Sequence, residues 1–323
     1  MSYAPAKVLD QSIIPVIDIG PLRDGSDAIG VAKALHQASQ EVGFIYVSHH
    51  GIDEALIASA RATALQFFRQ PEETKRQVVV SDRHRGFLAQ GGARMQTGAK
   101  ADLKESFIFG HEDQNGVTLE DHPLRGANQW PGAMPALQQK AMAYFKAAHD
   151  VAHHLMRGFA LGLGKSEDFF LETTAAPMSR ASFVYYPPQD ETLGADQFGV
   201  GPHTDFGVLT VLCQDDVGGL QVQDKAGDWV TAPPIPGTLV VNVGDLLARW
   251  TNNEYRSTPH RVVNSSGLER LSLVLAYDPG PDTMIDPRGL FGDDVETVFE
   301  PITCGDYLVQ RFAKSFAYRA SSK

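Results

Sequence analysis

Arg270-Leu-Ser-Leu-Val-Leu-Ala-Tyr277 alternates over its whole length, with Leu271, Leu273 and Leu275 at one parity and Arg270, Ser272, Val274 and Ala276 at the other. Successive side chains on a β-strand point to opposite faces, so the run predicts a strand with one apolar face and one face headed by an Arg and a hydroxyl. An Arg turned into the interior of a sandwich needs an anionic partner, because an unpaired buried charge is costly. A guanidinium fork beside a hydroxyl suits a carboxylate held by bidentate hydrogen bonds. On an edge strand open to water the same Arg would be solvated and no pocket would form.

Around this strand, from Pro177 onward, short apolar runs are parted by Gly, Pro, Asp and Asn: residues 182–186, 208–213, 220–223, 238–243 and 260–264. Runs of this length and spacing predict a sandwich or small barrel. Residues 224–228 and 265–269 read as hairpin turns. The first half is mixed. Strands are expected at 13–19, 44–47 and 104–109, and helices at 27–41, at 53–68 with Asp53 as N-cap, at 71–77 and at 135–163. A last helix is expected at 306–316. The fold class read from this pattern is mixed α/β with a mainly β core. It divides into an N-terminal segment 13–125, a β-rich segment 178–281 and a C-terminal helical segment 300–320, forming one globular unit.

The β-rich half also holds His203-Thr-Asp205 and, 57 residues on, His260 at the head of another strand. On a strand, positions i and i+2 share a face, so the imidazole and carboxylate can converge on one ion. A chain with 11 His and 25 Asp contains about one His-x-Asp by chance, so the pair gains weight only from His260 and from Arg270 and Ser272 beyond it. Two imidazoles and one carboxylate on one face of an ion leave three positions open, the ligand set of non-haem iron(II) sites that admit a co-substrate and O₂. His149 and His153 lie four apart on the long helix, but no third ligand follows, and they read as packed or surface residues.

Several further stretches resemble one family in order and spacing. They are Ile14-Pro-Val-Ile-Asp-Ile19, Gly43-Phe-Ile-Tyr-Val-Ser-His-His-Gly51, Arg85-Gly-Phe87, Asp102-Leu-Lys-Glu105, Tyr185-Tyr-Pro-Pro188, Asn242-Val-Gly-Asp245 and Ser257-Thr-Pro-His-Arg-Val262. With His203-Thr-Asp205 and Arg270-Leu-Ser272 they resemble the 2-oxoglutarate- and iron(II)-dependent oxygenase superfamily, in its isopenicillin N synthase-like branch. The resemblance implies a distorted double-stranded β-helix, or jelly roll, flanked by helices. It implies that His203, Asp205 and His260 are the catalytic iron(II) ligands. Arg270 and Ser272 would bind the distal carboxylate of 2-oxoglutarate, helped by the Tyr186 hydroxyl. Many relatives carry Asn where this chain has Val184, which removes one possible hydrogen bond to the co-substrate. The implied reaction consumes O₂ and 2-oxoglutarate, releases succinate and CO₂, and hydroxylates a small molecule. Within the same fold, an iron(II) oxidase of the isopenicillin N synthase or ethylene-forming type is the alternative. A non-catalytic jelly roll with a structural metal is a third reading.

Arg94, Phe107, Phe206 and Arg249 are substrate-contact candidates, with residues 83–109 and the segment from Asp306 framing the pocket. Of the 323 residues, 43% are hydrophobic, enough for a full core. The net charge of −11 argues against a nucleic-acid partner. Residues 1–11 lack a secretory signal pattern, and no run of 18 apolar residues occurs. Two cysteines, Cys213 and Cys304, form no disulfide framework and are expected to be reduced. These features predict a cytoplasmic monomer or weak homo-oligomer, with no membrane association.

Overall fold

The computed structural model describes residues 13–93, 100–112, 119–189, 197–264 and 266–320. The chain opens with β1 (Val16–Asp18), α1 (Gly20–Asp24), α2 (Ala28–Glu41), β2 (Phe44–Ser48), α3 (Glu54–Phe68), α4 (Glu72–Arg76), β3 (Gly86–Leu88), β4 (Glu105–Gly110) and α5 (Pro135–Gly162). It continues with β5 (Arg180–Tyr186), β6 (Val200–His203), β7 (Leu209–Cys213), β8 (Leu220–Gln223), β9 (Trp229–Thr231), β10 (Leu239–Val243) and α6 (Asp245–Trp250). Last come β11 (His260–Val262), β12 (Arg270–Tyr277), β13 (Met284–Ile285), α7 (Arg288–Phe291), β14 (Ile302–Thr303), α8 (Cys304–Ser315) and α9 (Ala317–Ala320).

Two sheets carry the site. One has eight strands in the order β1-β2-β10-β7-β12-β5-β4-β3, and the other four in the order β6-β11-β8-β9. The period-2 pattern of β12 sorts its side chains between two cores. Leu271, Leu273 and Leu275 join the large core under α2, α3 and α5. Val184, Tyr186, Val200, Leu220, Val222, Val240 and Val262 form a smaller core between the sheets. This is the expected jelly-roll sandwich with helices on its outer face. Helix starts follow local chemistry: Asp27 accepts from Gly30 N at 2.9 Å, Asp53 from Ala55 N at 2.7 Å and Thr303 from Asp306 N at 3.1 Å.

Two expectations need correction. Residues 266–269 do not close a hairpin, because β11 belongs to the four-stranded sheet and β12 to the eight-stranded one. The chain crosses between sheets there, whereas residues 224–228 do join the antiparallel neighbours β8 and β9. Strand β6 also ends at His203, so Asp205 lies just beyond the ladder rather than on it.

His149 packs against Tyr277 and His153, with ring centroids 4.9 and 4.6 Å away, and its Nε2 lies 3.2 Å from Ser179 Oγ. Burial, then the neighbouring His153 and His111, pushes it down to about 3. Burial likewise holds His84 well below its usual range. Both are neutral when folded and take up a proton when unfolded below about pH 6.5. Their contribution to stability is therefore complete above that pH and is lost as pH falls toward the depressed folded values. Each adds a slope of about 1.4 kcal/mol per pH unit inside that window. The urea midpoint is expected to drop between pH 7.5 and 5.5, less steeply in His149→Phe. A midpoint constant over that range would contradict this.

Candidate active site

His203 closes β6 and His260 opens β11, and the two stand directly opposite each other in the antiparallel ladder. Their ring centroids are 4.2 Å apart. His203 Nδ1 lies 2.8 Å from Gly201 O and His260 Nδ1 3.2 Å from Thr258 O, so each Nδ1–H donates to a backbone carbonyl. That assigns the lone pair to Nε2 in both rings. Each Nε2 lies 3.7 Å from Asp205 Oδ1. Asn242, on β10, donates from Nδ2 to the other carboxylate oxygen, Oδ2, at 2.7 Å. Burial, then the neighbouring His260, pushes His203 below its usual range. Asp205 is lowered: burial alone would raise it, but His260 and His203, together with hydrogen bonds from Asn242 and Thr210, outweigh burial. At neutral pH His203 is thus a neutral donor and Asp205 an ionised one, the states a cation requires.

The three donor atoms lie within 4.8 Å of one another, the one such cluster among the described residues. The two Nε2–Oδ1 separations of 3.7 Å are short enough for one ion to bridge each pair at about 2.0–2.2 Å. The set fits iron(II): two nitrogens and one oxygen on one side, and a cavity on the other.

The cavity measures about 190 Å³. Its floor is the inward parity of β4, β5 and β12. Ser106 pairs with Val184, and Val184 with Ser272 on its other side. Arg270 pairs with Tyr186, whose ring centroid lies 4.6 Å from the guanidinium carbon. Arg270 and Ser272 are each 1% exposed. Arg270 Nε donates to Gly218 O at 2.6 Å, while Nη1, Nη2 and Ser272 Oγ are buried without a hydrogen-bond partner. The turn that delivers Gly218 O has φ of +80° and +92° at Gly218 and Gly219, and a Cβ on Gly219 would meet Val263 O at 2.4 Å. Glycine is required there on both counts.

Among the substrate-contact candidates, Phe206 lines the cavity. Phe107 does not. It is fully buried in the large core against Phe67, Phe109 and Trp130, because Ser106 and Ile108 hold the inward parity of β4. Arg249 is also absent from the cavity lining. Its guanidinium donates to Glu300 O at 2.9 Å and lies against the rings of Phe299 and Tyr307. Arg94 lies outside the described residues. His84, Leu88, Lys104 and Ser106 wall the cavity from the predicted 83–109 stretch, and Phe312 and Phe316 from the C-terminal segment. Sequence reading gave no role to Asn242. The available signal was a lone amide in the otherwise apolar Leu239-Val-Val-Asn-Val243.

Fold and site together define a jelly-roll protein with a candidate two-histidine, one-carboxylate metal site open to a cavity. The model of the 2OG-Fe(II) oxygenase superfamily matches residues 178–279, and the model described as the N-terminal region of non-haem dioxygenases in morphine synthesis matches residues 14–133. A homoarginine-6-hydroxylase of Glycine max is 35% identical over 300 residues, covering 86% of this chain and 89% of that protein. A 2-oxoglutarate-Fe(II) type oxidoreductase of Metarhizium rileyi is 31% identical, covering 94% of this chain and 88% of that one. The crystal structure of a full-length Neurospora crassa protein in complex with alpha-KG and thymine matches with a TM-score of 0.83 at 30% identity, covering 96% of this chain and 99% of that one. The chain belongs to the 2-oxoglutarate- and iron(II)-dependent oxygenase superfamily. It is an oxidoreductase with the double-stranded β-helix fold, iron(II) as its metal and 2-oxoglutarate as its co-substrate. No helix among the described residues is long and apolar enough to cross a membrane.

Proposed function

We propose that His203, Asp205 and His260 hold the iron(II), that Arg270 and Ser272 anchor the distal carboxylate of 2-oxoglutarate beside Tyr186, and that the enzyme hydroxylates a small molecule. One observation carries this reading. Arg270 Nη1, Arg270 Nη2 and Ser272 Oγ are buried and unpartnered in the cavity that contains the triad. Leaving three such donors unsatisfied costs several kcal/mol, and a carboxylate in that corner would satisfy all three. Val184, opposite Ser272, gives the co-substrate an apolar neighbour in place of an amide.

When bound, the iron would activate O₂ while 2-oxoglutarate is oxidised to succinate and CO₂. The chain's own part is to orient and to exclude water. The carbonyls of Gly201 and Thr258 fix the two imidazoles, and Asn242 fixes the carboxylate. Leu88, Ile108, Phe206, Phe312 and Phe316 close the cavity with apolar surface. Its volume, shared with the co-substrate, suits a free small molecule better than a polymer. The hydroxylase names of relatives support hydroxylation as the outcome. The charge of −11 supports a substrate other than nucleic acid. Two buried unpaired thiols support a reducing, cytoplasmic setting.

The direct test is release of CO₂ from labelled 2-oxoglutarate with Fe(II) and O₂. Release is expected to vanish on chelation and to fall with Arg270→Ala. Equal turnover in that variant would overturn the anchor. A milder effect is expected at Asn242. Asn242→Ala frees the Asp205 carboxylate and should weaken iron binding about 10- to 100-fold, as loss of outer hydrogen bonds to metal ligands does. Unchanged iron affinity in a competition titration would show that Asn242 does not position Asp205.

A further inference from the structure

The cavity lining carries three cationic side chains, Lys104, Arg180 and Arg270, against one carboxylate, Asp205, in a protein of net charge −11. Arg270 is assigned above. Arg180 is occupied: its Nη1 donates to the fully buried Asp278 at 2.8 Å, and its guanidinium lies 4.6 Å from the Phe312 ring. Lys104 is different. It precedes β4 in step with Ser106 and Ile108, the parity that faces the cavity. Its side chain is 12% exposed, and its nearest carboxylate, Asp102 Oδ2, lies 3.7 Å away, beyond hydrogen-bond reach. Asp102 is not part of the lining. Its Oδ1 accepts from Gly201 N at 3.1 Å, and its Oδ2 is buried without a hydrogen bond. Among the described residues the Lys104 ammonium is thus held from behind by one counter-ion, Asp102, through a long 3.7 Å contact.

An ammonium carries three donors, and one long contact to Asp102 leaves capacity for a further acceptor from the cavity side. Lys104 shares the cavity lining with His203 and His84. We infer that Lys104 recognises a carboxylate on the primary substrate, so that the enzyme acts on small organic acids, holding the acid group at Lys104 and presenting the remainder to the metal. This rests on the assignment of the triad and of Arg270 given above. A single ammonium in a partly open, largely apolar cavity fits a monoanionic carboxylate better than a phosphate dianion, which draws several donors.

Calorimetric titration of the protein loaded with Zn(II), as a redox-inert stand-in, and 2-oxoglutarate tests this. The probes are three acid–amide pairs: hexanoate and hexanamide, phenylacetate and phenylacetamide, L-norleucine and L-norleucinamide. In at least one pair the acid is expected to bind about tenfold or more tightly than its amide. That preference should fall below about twofold in Lys104→Gln and in the Asp102→Asn/Lys104→Met double variant, which buries no uncompensated charge. No acid preferred over its amide, or a preference that survives the double variant, would overturn the inference. Failure of 2-oxoglutarate to bind the wild-type protein would overturn the anchor reading and this inference with it. Intact 2-oxoglutarate binding with equal acid and amide affinities would overturn only the role of Lys104.

Discussion

Asp205→Ala is expected to give a folded protein that neither retains iron(II) nor decarboxylates 2-oxoglutarate. Asp205 is the single anionic member of the cluster, and both imidazole Nε2 atoms face its Oδ1 at 3.7 Å. Removing it leaves two neutral nitrogens to hold a dication. Loss of a mere outer hydrogen bond to a ligand costs about 10- to 100-fold in metal affinity, so loss of the charged ligand itself should cost more than about 100-fold. Folding should be nearly untouched. Asp205 lies beyond the end of β6, contributes no ladder pairing and packs no core. The side-chain bonds it loses, from Asn242 Nδ2 and from Thr210, open onto a cavity where water can replace them. Iron content after desalting, read beside a thermal melt, separates the two effects. Stoichiometric iron in the variant would show that the carboxylate is not a ligand. A large drop in melting temperature would show a structural role instead.

The parts of this site that sequence disclosed are those fixed by strand parity. In Arg270-Leu-Ser272 the apolar residues could face only the core, so the Arg and the hydroxyl had to face the other way. His260 at the head of a strand was legible for the same reason. Three features were not legible, each because it depends on a partner remote in sequence. Where β6 stops is set by pairing with β11, so His203-Thr-Asp205 looks like one continuous strand until the ladder is seen to end at His203. Strand β4 is buried on both faces, so its alternation does not say which parity meets the cavity. Phe107 reads as well as Ile108 until the aromatic cluster around Phe67 and Trp130 claims it. Residues 265–269 have a hairpin's length and composition, yet the strands they join lie in different sheets. Asn242 and Lys104 belong to a fourth kind. Each is a polar group in a buried setting, a visible local anomaly whose partner, the Asp205 carboxylate or the cavity, is assembled only by the fold.

Arg270→Ala is expected to separate metal binding from co-substrate binding. The guanidinium is 1% exposed and meets the protein through one hydrogen bond, Nε to Gly218 O, and through the ring of Tyr186. Its remaining donors, Nη1 and Nη2, are unpartnered. Truncating one partner of a buried, hydrogen-bonded charge pair costs about 2–5 kcal/mol, so the Kd for 2-oxoglutarate should rise roughly 30- to several-thousand-fold. Iron affinity should stay near wild type, since Arg270 supplies nothing to His203, Asp205 or His260. Arg270→Lys keeps the charge but not the planar fork, and should fall between the two. Stability gives an independent reading. Without ligand, Nη1 and Nη2 have no partner in the protein, so their loss removes no protein hydrogen bond. Deleting them offsets part of the cavity left by the side chain, so the ligand-free variant should melt close to wild type. With 2-oxoglutarate at 100 times its Kd, the wild-type protein gains about 2.7 kcal/mol, and the variant at the same concentration gains at most about 0.9 kcal/mol. An Arg270→Ala protein that binds 2-oxoglutarate as tightly as wild type, or is stabilised by it equally, would move the carboxylate anchor away from β12. The three buried donors at Arg270 and Ser272 would then have to be satisfied by some other anion.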